Sequence, residues 1–165
     1  MSPKKSIFVK TNRFDMKRLL VVFALALLAV PAVWAQSRTW TLSETGWGRV
    51  DFALQQGSIP MHTMGEINIP RWRKASGTLK VDFDKKEAVL SQSRGKDKTF
   101  YLLTESRPHE TRDGWSYVEY EALDNHNAGC RFWVCKHESG AERVLVFYPY
   151  WTPDTVYGYR LTPEK

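Results

Sequence analysis

Apolar and polar residues alternate along much of the chain after Gln36, and the period is two. Leu79, Val81 and Phe83 alternate with Lys80, Asp82 and Asp84, and Val50, Phe52 and Leu54 alternate with Arg49, Asp51 and Ala53. Such alternation marks strands with one buried face. Further runs rich in branched and aromatic residues suit a pleated surface. They are Arg38–Leu42, Gly65–Ile69, Ala88–Ser91, Thr99–Thr104, Trp115–Ala122, Arg131–Cys135, Arg143–Tyr148 and Val156–Leu161. Turn residues separate them, as in Ser93-Arg94-Gly95-Lys96-Asp97 and Asp124-Asn125-His126-Asn127-Ala128-Gly129. Short antiparallel strands with short links predict an all-β domain. The expected form is a single up-and-down β-barrel of about 8–10 strands, with a β-sandwich as the alternative. The segment Gln55–Lys74, with Pro60 and Pro70, breaks the rhythm. It reads as a lid, a crossing strand or a loop over one barrel mouth.

The pattern before Gln36 is different. Lys17 and Arg18 precede an unbroken apolar run from Leu19 to Val30, followed by Pro31, Ala32, Val33, Trp34 and Ala35. This order, with small residues at Val33 and Ala35, predicts a secretory signal peptide over residues 1–35 and one domain over 36–165. Met16, just before the charged pair, is an alternative translation start. Cleavage before Gln36 leaves no cysteine for a lipid anchor and no second apolar run of spanning length. The expectation is an exported protein, periplasmic or extracellular, soluble and without stable membrane insertion.

Charge follows the same division. The chain holds 24 Lys+Arg and 18 Asp+Glu, a formal +6, but the first 35 residues carry six of those bases and one acid. What remains is 18 bases against 17 acids, a net +1. A near-neutral domain argues against nucleic acid as a partner. An apolar content of 42% supports a folded core rather than a disordered chain.

Cys130 and Cys135 are the only cysteines. On an extended Arg131–Val134 segment their Cα atoms stand about 16 Å apart, beyond the roughly 4.4–6.8 Å of a disulfide. They also point to opposite faces, Cys130 with Phe132 and Val134, Cys135 with Arg131 and Trp133. Two separate thiols are favoured over a bridge through a bulge or turn. No motif for a metal, a cofactor or a nucleophile occurs, and no catalytic residue is assigned. His137-Glu138-Ser139-Gly140 reads as a solvated hairpin turn. Glu119 and Glu121 share a strand face with Trp115 and Tyr117, which admits a small carboxylate-dependent hydrolase, although a solvated outer face accounts for the same pattern.

The aromatic residues carry the main functional expectation. Phe147-Tyr148-Pro149-Tyr150-Trp151 has rings with polar tips beside two prolines. Such rings suit stacking on a small apolar or sugar-like ligand, or a protein contact. Trp115, Trp133, Tyr148, Tyr150 and Trp151 are the candidate ligand-binding residues. Gly46-Trp47, the meander and the late basic residue Arg160 resemble calycin-type barrels such as lipocalins. In lipocalins one residue separates the glycine and the tryptophan, whereas here they adjoin. The resemblance therefore implies an architecture only. The expected function is a non-enzymatic barrel that binds a small molecule. The alternatives are an inhibitor or envelope component with a protein partner, and the hydrolase.

Overall fold

The computed structural model describes residues 37–51, 54 and 61–163, so the expected signal peptide lies outside the described residues. Nine strands follow in order: β1 (Arg38–Arg49), β2 (Asn68–Asp82), β3 (Glu87–Gln92), β4 (Lys98–Glu105), β5 (His109–Glu110), β6 (Trp115–Asp124), β7 (Gly129–His137), β8 (Glu142–Tyr148) and β9 (Thr152–Pro163). Every pairing is antiparallel. The ladder order is β4-β3-β2-β1-β9-β8-β7-β6-β5, and β4 also pairs with β6. The sheet therefore closes into a ring by the expected up-and-down path. β5 pairs with the start of β6, and β4 takes the far end of β6 from Tyr120 to Asp124. Among the described residues no helix is long and apolar enough to cross a membrane.

The barrel is uneven. β2 has 15 residues and β3 has six. β3 joins β2 only from Gly77 onward, so the first half of β2 pairs with β1 alone. That half extends the wall at the mouth where β1, β3, β6 and β8 end.

Two cores follow from the two faces of the sheet. The inner core gathers residues from around the ring, among them Trp40, Leu42, Leu79, Phe100, Phe132, Val146 and Tyr159. Phe100 and Phe132 meet there with ring centroids 5.1 Å apart. A second core lies on the outer face of β6–β9. Val50, Leu54, Met61, Met64 and Ile67 cover Tyr117, Trp133, Cys135, Leu145, Phe147 and Val156. Tyr117 stacks on Trp133 at 4.4 Å, and Trp133 tilts against Phe147 at 4.7 Å. Hydrogen bonds pin the cover in place. Val50 N donates to Asp154 O at 3.0 Å, Arg112 N to His62 O at 2.8 Å, and Met64 N to the Asp113 carboxylate at 3.0 Å.

This second core corrects three expectations. The strand expected over Arg49–Leu54 ends at Arg49; Val50 and Leu54 leave the ladder and bury in the outer core. The strand expected over Gly65–Ile69 is a 3-10 turn at Met64–Glu66 followed by β2. The described part of Gln55–Lys74 covers the outer wall up to Ile67, rather than a mouth, and then forms β2. Cys130 and Cys135 are free, buried and in different cores, as the strand geometry requires.

Candidate functional site

Three glycines shape the mouth of the barrel on its tall side. A Cβ on Gly48 would stand 1.8 Å from the backbone oxygen of Asn68. One on Gly158 would stand 2.6 Å from both Ile69 and Trp72, and one on Gly46 would lie 2.7 Å from the Arg71 oxygen. Their bare backbones let the first half of β2 lie tight against β1. The Trp72 ring then rests on the outer wall, with the Arg160 guanidinium 4.2 Å above it. Arg160 in turn pairs with Glu44. Because strand side chains alternate, fixing Trp72 outward turns Arg71 and Arg73 to the inner side. There the register sets Arg73 opposite Thr45 and Arg71 opposite Trp47, and Trp47 opposite Tyr157.

These residues, with Gly46 and Pro70, line a groove of about 450 Å³. That volume lies in the range of small-ligand sites, roughly 300–1,000 Å³. Trp47 is 64% exposed, an unusual position for so large a ring. Tyr157 meets Tyr148 edge-on at 6.0 Å, and the Lys98 ammonium lies 5.9 Å from the Tyr157 ring centre. The Tyr148 hydroxyl donates to Asp124 at 3.2 Å. Burial, reinforced by Cys130 and Asp124, holds that hydroxyl far above the ordinary tyrosine range, so it stays a proton donor. Asp124 also accepts from His126 N and Ala128 N, both at 2.9 Å. Among the described residues neither Arg71 nor Arg73 has a carboxylate partner.

The five expected ligand-binding residues fall in three places. Trp133 is buried in the outer core and Trp115 packs at its edge, under the Arg143 guanidinium at 4.0 Å. Tyr148 lies on the inner side beside Tyr157. Tyr150 and Trp151 project from the β8–β9 turn, 84% and 72% exposed. That turn belongs to the same barrel end as the groove, so the structure brings Tyr148 beside the groove and Tyr150 and Trp151 to its end of the molecule. Thr45, Trp47, Arg71, Arg73 and Tyr157 were not among the expected site residues. The alternating Arg71-Trp72-Arg73 was their signal, masked by its place in a segment that looked irregular.

The carboxylate pair is arranged differently from an open catalytic cleft. Glu119 and Glu121 do lie on the outer face with Trp115 and Tyr117, but Tyr117 is buried there rather than solvated. Glu119 is ion-paired to Arg131 at 3.2 Å. Burial raises its pKa, with Arg131 pulling the other way. At the β7–β8 turn, His137 Nδ1 lies 2.7 Å from Ser139 Oγ and Nε2 lies 3.0 Å from Asp113 O. Both ring nitrogens are thus engaged, Nδ1 within its own turn and Nε2 with the turn before β6, and Glu138, Ser139 and Gly140 are exposed as a solvated hairpin requires. No protein-family model, curated protein or solved structure matches the chain.

Proposed function

We propose that this chain is an exported, non-enzymatic binding domain that takes a small ring-shaped ligand, flat and apolar or sugar-like, into the groove at the barrel mouth. The observation that carries the reading is that an exposed Trp47 and Tyr157, partners on adjacent strands, together line a groove of about 450 Å³. Aromatic faces stack on flat rings and on sugar C–H faces, and the flanking arginines supply orienting donors. The signal-peptide pattern before Gln36 supports the export part.

Three compounds that share a nitrophenyl ring test the reading: 4-nitrophenyl β-D-glucoside, the β-D-glucuronide and 4-nitrophenyl phosphate. At least one is expected to shift the Trp47 indole and Tyr157 resonances in a two-dimensional NMR titration. Trp47→Ala should remove that binding and leave the far-UV spectrum unchanged. Silence from all three, or shifts confined to other residues, rejects the groove.

A second reading has its own observation. Tyr150 and Trp151 form an exposed aromatic turn flanked by Pro149 and Pro153, suited to contact with a protein partner. Tyr150→Ala with Trp151→Ala should weaken capture of such a partner while small-compound binding at the groove is retained. Loss of compound binding instead would make the turn part of the ligand site.

A further inference from the structure

The groove is not only aromatic; it is charged in one sense. Arg71 and Arg73 are i and i+2 on one strand, so both point to the same side with their Cα atoms about 6.5 Å apart. Lys98, reaching toward Tyr157 from β4, adds a third cation at this mouth. Among the described residues, those that line the groove include no acid. Nearby carboxylates are committed elsewhere. Glu44 holds Arg160 on the outer wall, and Asp154 lies 3.8 Å from Arg49. Asp124 already accepts from Tyr148 and two backbone amides. Like charges set side by side on one face repel. The folded domain as a whole is close to neutral, so this cluster is a local feature and not the consequence of a basic surface.

Resting on the binding reading above, we infer that the groove takes a ring that carries an oxyanion, a carboxylate or a phosphate, with the ring against Trp47 and Tyr157 and the anion on Arg71 and Arg73. A guanidinium presents paired donors that match two oxygens of either group. The bound anion would also relieve the repulsion between the two arginines. Lys98 contributes as a point charge from the opposite side of the mouth.

The same three nitrophenyl compounds separate the outcomes by calorimetry on the purified protein, in low salt and again in high salt. The glucuronide and the phosphate are expected to bind at least about tenfold more tightly than the neutral glucoside. That advantage should shrink as salt rises. Arg71→Gln combined with Arg73→Gln should erase it, so that within this variant the glucuronide and the phosphate bind no more tightly than the glucoside. Whichever anion binds more tightly distinguishes a carboxylate site from a phosphate site. Equal affinity for all three compounds overturns the anion inference but leaves the groove standing. An anion preference that survives the double glutamine variant also overturns it, because the charge then acts elsewhere. If none of the three binds, both this inference and the groove fall together.

Discussion

Cys130 and Cys135 belong to one strand and end in two different cores. Burial pushes both thiols up to about 12, with Asp124 adding to the effect at Cys130 and Arg143 opposing it at Cys135. Only the thiolate reacts, so at pH 8 such a thiol is roughly a thousandfold less ionised than a free one. Native protein should therefore take up almost no Ellman's reagent at pH 8, and two equivalents after unfolding in guanidinium. Rapid labelling of the native protein would contradict the burial of one of the thiols. No reaction even after unfolding, with two equivalents restored by reductant, would reveal a disulfide. The opposite facing of these residues was legible from their odd spacing on a strand alone, because the pleat leaves no other choice. The roles of Arg71 and Arg73 were not legible in that way. Their direction depends on Trp72, and Trp72 is held by glycines distant in sequence.

At the scale of elements, the close approach of β2 to β1 is the arrangement on which the groove depends. The Asn68 backbone oxygen occupies the place where a Cβ at position 48 would go. Gly48→Ala must displace the backbone at the start of β2, since no flexible side chain can give way. The expected cost is on the order of 3 kcal/mol, as for overpacking in a tight site. Gly65→Ala serves as the control, because its Cβ would find only the Thr63 hydroxyl at 3.7 Å. Urea unfolding should show a clear fall in midpoint for the first variant and little change for the second. Equal midpoints would mean that β2 does not pack as closely as described. Period-two alternation located most strands because their inner residues face one core. It failed at Val50 and Leu54, where the same spacing serves a covering segment. The continuous run Val144-Leu145-Val146-Phe147 was the clue to a second core, since a strand buried on both faces loses its alternation.

At the scale of the whole molecule, the two cores divide the barrel into unequal halves. β7 and β8 contribute buried residues to both the inner and the outer core. β3 and β4 contribute to the inner core alone, and the outward Tyr101 and Leu103 of β4 are exposed. Local opening costs least where few buried contacts must be broken. Backbone amides in β7 and β8 should thus exchange with solvent only through global unfolding, while those of β3 and β4 should open at lower free energy. The first half of β2 should exchange faster still, because β1 is its only ladder partner there. Native-state hydrogen exchange followed by NMR would rank the three groups. Equal protection across the ring would contradict a barrel stiffened on one side by its outer cover. The predicted ranking places the groove where the rigid and the yielding parts of the wall meet. Trp47 and Tyr157 stand on β1 and β9, whereas Arg71 and Arg73 stand on the open half of β2. A ligand that bridges them should therefore slow exchange most in β2 between Asn68 and Ser76, with much smaller changes in β7 and β8. Protection that rises uniformly instead would mean that the ligand stabilises the whole fold without tying β2 to the rest of the wall.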